Sequence, residues 1–390
     1  MFDDLCHGGV GKYAFPVMMM GSLALHVWDV ASDILVAILL YHEDQVFFGV
    51  SIAILVLGSL FSSVASVFFG SLGVKMEDAK LGNNDCDFKT PPSICAGCLC
   101  GLTQLEIFVE AYYSIRLGKK TEGFVWTRFL EAMFESSPQS LLQLYIVLKR
   151  ADGVIDGDDA LLFASIGTSV VSIAVGLSQF ERWLAQNKKE YFIPLFSRYN
   201  VALNAYHLLE IAARMGLLAC VGIAWSGWAI FGILLFDYLM IIGINVTDEV
   251  EKCWAARWGA LWGVGYLASN YWGFLSNIGE YLKYHWLLKT LEGFVMIPFI
   301  VVKLTQAHTY SFMLFSVIGM ACFVLQYIPL FYILKWASNL YECPKPSEVF
   351  VFPFCSKNLD DSVGGVLKWD EYEAQQKEKE EKKKTKITPV

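Results

Sequence analysis

The chain has 390 residues, of which 55% are hydrophobic and 17% are charged, and its mean hydropathy of +0.46 excludes an ordinary soluble domain. The formal net charge is −8, and residues 335–390 contain ten acidic and ten basic side chains, so the whole negative balance belongs to residues 1–334. A nucleic-acid-binding protein needs a basic surface, which this balance excludes.

Ten apolar segments follow one another along the chain, and most are as long as the ~20 residues that a helix needs to cross a bilayer. Residues 47–70 are apolar on all sides, whereas the strands of a membrane barrel alternate. The first segment is too long for a signal peptide and contains two aspartates, so it is predicted to span. The sequence therefore predicts an all-α polytopic membrane protein. Its segments are 13–41, 46–74, 94–117, 124–149, 160–180, 198–225, 228–247, 257–275, 280–302 and 309–334.

The basic residues between these segments limit how many of them cross the membrane. Loops rich in Lys and Arg stay in the cytosol, and ten full crossings from a cytosolic N-terminus would place the basic loop before residue 198 outside. We therefore expect about eight transmembrane helices and two partial or re-entrant helices, with both termini in the cytosol. In the first half, either 94–117 or 124–149 is partial; in the second half, 280–302 is the candidate, because Pro298 interrupts it.

The composition divides the chain into a membrane domain and a tail. Residues 1–334 hold the apolar segments, and a break near residue 191 gives two possible halves, 13–190 and 198–334. Residues 335–390 are polar and highly charged towards their end, which is typical of a solvated cytosolic tail without a core of its own.

Acidic residues inside the apolar segments are the most informative feature. Asp29 and Asp33 are four residues apart, and two glutamate pairs repeat this spacing, which places both members of a pair on one helix face. A carboxylate at the centre of a bilayer costs roughly 2.5–3.5 kcal/mol. These groups must therefore line a wet cavity, pair with cations or be held neutral. The glutamate pairs are Glu106 with Glu110 and Glu131 with Glu135.

The segment 124–149 combines a polar stripe with a proline. From Glu131 every fourth side chain is polar, with Arg128 one turn before it, which predicts one continuous polar line down an otherwise apolar helix. The line consists of Arg128, Glu131, Glu135, Gln139 and Gln143. Pro138 removes a backbone donor within the stripe and predicts a helix break there.

Buried acids have a simpler explanation too, because they can merely hydrogen-bond helices together. Since Glu210 and Arg214 have opposite charges at the favourable i,i+4 spacing, we interpret them as a structural ion pair. For the acid pairs of the first and fourth segments, clustering favours a functional groove. Asp237 and Glu292 stay open between the two interpretations.

Three motifs resemble a known family. Residues 130–145, Leu-Glu-Ala-Met-Phe-Glu-Ser-Ser-Pro-Gln-Ser-Leu-Leu-Gln-Leu-Tyr, resemble the Phe-Glu-x3-Glu-x-x-Pro-Gln-Leu block of the XK-related membrane proteins, which include apoptotic phospholipid scramblases. Residues 28–33, Trp-Asp-Val-Ala-Ser-Asp, are similar to the Asp-x3-Asp of that family's first helix. Residues 102–106 with Arg116-Leu-Gly118 are similar to its third helix. Beyond residue 145 the resemblance rests on hydropathy.

The resemblance implies a phospholipid scramblase of the plasma membrane, again with eight spans and two partial helices. Its hydrophilic lipid path would carry over to Asp29, Asp33, Glu131 and Glu135, with the carboxylates attracting amine groups. Arg128 would meet the phosphate, and Gln139 and Gln143 would extend the path. The implied partners are phospholipids, the membrane and, as a candidate, a single-span or lipid-transfer protein.

Apoptotic members of the family are activated when a caspase cuts the C-terminal tail. Here the tail sequence Asn358-Leu-Asp-Asp361 lacks the acidic residue four positions before the cut, so this trigger is not predicted.

Other signals are weaker. Cys95, Cys98 and Cys100 include a Cys-x-x-Cys, but no His lies near them, so palmitoylation is favoured over a metal, and no cofactor is predicted. The chain contains no P-loop, His-Glu-x-x-His or Gly-x-Ser-x-Gly, and His26 is interpreted as a packing residue, so an enzyme is not expected. An ion channel or cation-coupled transporter stays open as a rival, as does a non-catalytic adaptor for a lipid-transfer protein.

Overall fold

The structure is a computed structural model, and the part of it described below is helical apart from one pair of two-residue strands. It describes residues 11–65, 103–117, 120–150, 157–187, 191–192, 198–246, 281–304, 310–333, 367–368 and 374. The expected all-α membrane fold is confirmed for these residues, since four helices are long and apolar enough to cross a bilayer. These candidate spans are Phe15–Glu43, Ala160–Trp183, Arg198–Ala224 and Phe312–Ile333. The total of eight spans stays a prediction.

The elements follow the predicted segments closely. The first half contains α1 (Gly11–Glu43), α2 (Gln45–Ala65), α3 (Glu106–Leu117), α4 (Glu122–Glu131), a π-helical turn (Ala132–Ser136), α5 (Ser137–Arg150) and α6 (Gly157–Asn187). After β1 (Tyr191–Phe192), the second half contains α7 (Arg198–Ala224), α8 (Gly227–Val246), α9 (Tyr281–Leu304) and α10 (Tyr310–Leu325), and the tail contains β2 (Leu367–Lys368).

Polar caps fix two of the turns. Asp44 separates α1 from α2, and its Oδ1 accepts hydrogen bonds from the backbone N–H groups of Val46 and Phe47 at 3.0 and 3.3 Å. Thr121 caps α4 by accepting from the N–H of Phe124, while its hydroxyl donates to Oε2 of Glu110 at 2.5 Å. A side-chain oxygen that satisfies the first N–H groups of a helix favours its start at that residue.

The order of side-chain contacts gives the direction of each helix. Residues 26, 29 and 33 of α1 meet residues 131, 136 and 143, so α1 is parallel to α4 and α5. On α2, residue 51 meets 139 and residue 58 meets 135, so α2 runs the opposite way. Helix α2 therefore ends on the side of the bundle where α1 begins. Helix α4 begins on the same side, because it is parallel to α1.

This direction bears on the partial helix of the first half. Helix α3 has 12 residues, which span ~18 Å and fall short of the ~30 Å hydrocarbon core. We therefore expect 94–117 to be the partial segment and 124–149 to cross as α4, the π turn and α5. Residues 94–102 lie outside the described residues.

The predicted break at Pro138 is wrong. The chain stays helical from Glu122 to Arg150 and widens into the π turn directly before the proline. The N–H of Ser137 bonds to the carbonyl of Ala132, five residues back. A regular helix would push the proline ring against the carbonyl four residues earlier, and the wider turn makes room for it.

The predicted interruption of segment 280–302 is wrong as well. Helix α9 continues from Tyr281 to Leu304 through Pro298, which lies on an exposed face. It runs antiparallel to α10, since Thr290 meets Tyr327 at 3.3 Å and Gly293 packs on Phe323. Prolines are tolerated in membrane helices where local adjustments and neighbours satisfy the backbone. The segment 257–275 lies outside the described residues.

Helix α7 forms the centre of the second half and packs against α5, α6, α9 and α10. Gly216 of α7 faces Gly319 of α10 so closely that a Cβ at Gly216 would lie 3.4 Å from the Cα of Gly319. Strand β1 pairs antiparallel with β2, so the connection between the halves and this part of the tail lie on the same side of the membrane.

We expect Gly216→Leu to destabilise the protein, because the larger side chain must force α7 and α10 apart, and overpacking costs about 1–3 kcal/mol. Gly216→Ala should have little effect, since its Cβ fits at ordinary contact distance. The measurement is thermal unfolding in detergent. Gly232→Leu is the control, because nothing lies within 4 Å of a Cβ there; equal losses in both leucine variants would contradict the prediction.

Candidate functional site

The seven polar residues predicted for the path lie together in one buried region between α1, α2, α4, α5 and α6. We call this set the polar ladder; it consists of Asp29, Asp33, Arg128, Glu131, Glu135, Gln139 and Gln143. Its members make side-chain contacts with residues of neighbouring helices, so the helices are held together by polar side chains along this line.

The first rung of the ladder is an ion cluster around Glu131. Nη1 of Arg128 donates to both carboxylate oxygens of Glu131 at 2.8 Å, and Nδ1 of His26 lies 2.5 Å from Oε1. Nη2 of Arg128 donates to Ser172 of α6 at 2.7 Å. One guanidinium thus ties α4 to α6 while its carboxylate partner ties α4 to α1, as a buried charge pair needs to offset its desolvation.

The second and third rungs hold the aspartates of α1 with hydroxyl and amide donors. Asp29 accepts hydrogen bonds from Ser136 at 2.7 Å and from Ser169. Asp33 accepts from Gln143 at 2.7 Å and from Ser165 at 3.2 Å. Both aspartates therefore join α1 to the π turn or α5 and to α6, and their hydrogen-bond donors are neutral.

Glu135 points to a different neighbour because the π turn changes the helical register. In a regular helix it would lie on the same face as Glu131. Here its Oε1 accepts a hydrogen bond from Gln104 at 2.6 Å. Its Cβ packs against Gly58 of α2, where an added Cβ would lie only 2.5 Å from it. Gln104 also donates to Ser59 of α2 at 3.3 Å. The π turn therefore turns Glu135 towards α2 and leaves Glu131 facing α1.

Gln139 completes the contact with α2 by donating to Ser51 at 2.6 Å. The polar side of α2 thus has small residues, and Ser51 and Ser59 accept hydrogen bonds there. Oε2 of Glu135 and the side-chain oxygens Oε1 of Gln139 and Gln143 have no hydrogen-bond partner among the described residues.

The ladder is long, rich in carboxyl groups and closed. From Arg128 to Gln143 it covers 15 helical steps, or ~22 Å of a ~30 Å hydrocarbon core. It holds four carboxyl groups and one Arg, and His26 lies beside it. The four carboxylic residues are only 1–3% exposed, so in this conformation the ladder is sealed.

One helix separates the ladder from the outer surface. Asp29 and Asp33 lie on the inner face of α1, whereas Val27, Trp28 and Ile34 on its outer face are about half exposed. A helix with its side chains is about 10–12 Å wide. The polar interior is therefore one helix away from the surface that contacts lipid.

The structure adds residues that the sequence interpretation missed. His26 was interpreted as a packing residue but contacts Glu131; it precedes Asp29 by three residues and Asp33 by seven, the spacing of one helix face, so this signal was present. The sequence gives no signal for the serines of α6 that contact the ladder, Ser165, Ser169 and Ser172. Serines at such intervals are common in membrane helices.

A second charged cluster lies in the second half. Arg214 donates to Oε2 of Glu292 at 2.6 Å, and His207 lies 3.4 Å from Glu210 and 3.3 Å from Glu181. The contact with Arg214 favours a structural role for Glu292. The direct Glu210–Arg214 pair stays a prediction. The side chain of Asp237 and the residues Cys95, Cys98 and Cys100 lie outside the described residues.

Comparisons with known proteins show what this chain is similar to. A sequence model of the XK-related protein family matches residues 17–341. XK-related protein 8 from Tetraodon nigroviridis is 26% identical over 227 residues, which cover 53% of this chain and 53% of that protein. The chain thus spans about half the length of the curated relative that it matches.

We expect Arg128→Met to destabilise the protein strongly, because it leaves the Glu131 carboxylate buried with fewer partners, and breaking a buried pair costs about 3–5 kcal/mol. Replacing both partners, in Arg128→Met with Glu131→Leu, should recover much of this loss, since no charge is then buried in that pair. Thermal unfolding in detergent measures both variants. A double variant no more stable than Arg128→Met would contradict the prediction.

Proposed function

The chain belongs to the XK-related family, and on this premise we propose that it is a phospholipid scramblase, which lets lipids pass between the leaflets without an energy source. The observation that carries the proposal is the polar ladder, which extends ~22 Å through apolar helices and lies one helix away from the lipid.

The mechanism follows from the cost of moving a headgroup through hydrocarbon. Neither the phosphate nor the amine finds a polar partner there, so the barrier is high. In the proposed path the carboxylates Asp29, Asp33 and Glu135 attract the amine or choline group. Arg128 meets the phosphate, and the acyl chains stay in the bilayer. Such a path depends on charge and hydration, so we expect little headgroup selectivity.

The path must open before a lipid can enter, because the ladder is sealed in the described conformation. We propose that α2 is the element that moves. It contacts the ladder through Ser51 and Gly58, and Ser59 accepts from Gln104, the partner of Glu135, whereas Val50 and Val56 are exposed. Displacing α2 breaks a few hydrogen bonds and brings Glu135 and Gln139 to the lipid surface.

We place the protein in the plasma membrane with both termini in the cytosol. The tail lacks the acidic residue of a caspase site before Asp361. A single-span or lipid-transfer protein is therefore our candidate for the activating partner.

The excess of carboxylates would also attract cations, so a channel or cation-coupled transporter is the second candidate function. Reconstitution into liposomes with fluorescent lipids in both leaflets separates the two. For a scramblase, dithionite bleaches well over half of the fluorescence of several lipid classes. Bleaching of only the outer leaflet under activating conditions, together with ion flux, would replace the scramblase by the channel.

We expect the double variant Asp33→Asn with Glu135→Gln to slow lipid exchange at least tenfold. Both changes keep the side-chain volume and leave the Arg128–Glu131 pair intact, so the protein should fold while the path loses two carboxyl groups. Initial rates of dithionite bleaching measure the effect. Glu181→Gln is the control, since Glu181 is a fully buried acid outside the ladder; unchanged exchange in a folded double variant would remove these residues from the path.

We expect Gly58→Ala to raise lipid exchange in the absence of any activator. The added Cβ would lie 2.5 Å from the Cβ of Glu135, which is not a flexible tip, so α2 must move away from the π turn. Gly49→Ala on the same helix is the matched control, because nothing lies within 4 Å of a Cβ there. The assay is the same bleaching rate without activator. Equal basal rates in the two variants would show that α2 does not seal the path.

A further inference from the structure

An open groove lies on the outer surface between the start of α7 and the end of the span Phe312–Ile333, away from the polar ladder. Its cavity volume is about 420 Å³, within the range of small-molecule sites. It is lined by Arg198, Val201, Ala202, Ala205, Ile328, Pro329 and Tyr332. All of these side chains except Arg198 and the hydroxyl of Tyr332 are apolar.

The shape of the groove suits a hydrocarbon chain. Ala202 and Ala205 are one turn apart on α7, and their small side chains leave a channel that Ile328 and Pro329 border on the other side. From residue 198 to residue 205 the channel is ~10 Å long, enough for the first part of an acyl chain.

The charge at the mouth of the groove is positive. Arg198 is exposed and is the first residue of α7, and no acidic residue lies in the first turn of that helix. The positive end of the helix dipole therefore adds to the guanidinium. An arginine can bind a phosphate through two parallel hydrogen bonds.

We propose that this groove binds a membrane phospholipid with an anionic headgroup. One acyl chain lies against Ala202 and Ala205, and the phosphate contacts Arg198. A soluble phosphate would leave the apolar channel unused, so the combination of one cation with an open apolar channel favours a lipid.

The expected topology places the groove in the cytosolic leaflet, where anionic lipids are found. Arg198 follows β1, and the pairing of β1 with β2 puts this connection on the side of the tail. The binding requires only that the chain lies in a membrane. It therefore stands or falls separately from lipid movement along the ladder.

The test uses the full-length protein in liposomes of phosphatidylcholine that contain a photoreactive-acyl phosphatidylserine. After irradiation, the modified peptides are mapped by mass spectrometry. We expect labelling of residues 201–205 and 328–332. Unlabelled phosphatidylserine should compete at about tenfold lower concentration than unlabelled phosphatidylcholine.

Two variants and two controls make the result specific. Arg198→Gln should weaken competition by phosphatidylserine about tenfold, and Ala202→Phe should abolish labelling by filling the channel. Arg116→Gln, another exposed arginine at a helix end, and Ala321→Phe, on the exposed face of α10, should leave it unchanged.

Labelling that persists in Ala202→Phe, or that maps elsewhere, would overturn the proposal. So would equal competition by the two lipids, and so would a groove that becomes labelled only after the tail is cleaved, which would show that the tail occupies it.

Discussion

The structure depends on the contacts that stabilise the buried carboxylate of Glu131. A carboxylate inside a helical bundle is tolerated only with opposite charge and hydrogen bonds, and here Arg128 supplies two bonds while His26 supplies a third contact. These three residues come from α1 and α4, and Arg128 reaches Ser172 of α6. The ion cluster thus fixes the mutual position of three helices, and the other rungs form around it.

The other acids of the ladder are held differently, and this difference matters for function. Asp29 and Asp33 accept hydrogen bonds from serine hydroxyls and a glutamine amide, and Glu135 from Gln104. Such donors are neutral and are easily replaced by water or by a lipid amine. The rung of Arg128 and Glu131 therefore holds the helices together as well as carrying the cation of the proposed path, whereas the remaining rungs can exchange their donors.

Local periodicity predicted much of this site from the sequence. The spacing of four placed Asp29 with Asp33 on one face and marked the stripe of α4 and α5, and these residues do meet. Pro138 limited the prediction, because a proline can be accommodated by a wider turn as well as by a break. That turn shifts the register by one residue and sends Glu135 to α2, which no spacing rule predicts.

Contacts distant in sequence were beyond the reach of the pattern. Segments 94–117 and 124–149 are equivalent by loop charge, and it is the parallel pairing of α1 with α4 and α5 that favours a crossing by 124–149. Glu292 stayed undecided because its partner, Arg214, is 78 residues away. Hydropathy and charge describe where a helix is, but pairing depends on the assembled bundle.

The two halves of the bundle differ in how freely a helix can move. Helix α7 is buried along most of its length, approaches α10 at Gly216 and meets charged partners on α6 and α9. Helix α2 packs on the ladder with serines and a glycine, stacks Phe61 on Phe134 of the π turn, and exposes Val46, Val50 and Val56. Moving α7 would separate buried charges and tightly packed backbones, whereas moving α2 exchanges short polar contacts for contacts with water or headgroups. The asymmetry favours a scaffold in the second half and an opening seam in the first, where the exchangeable acids lie.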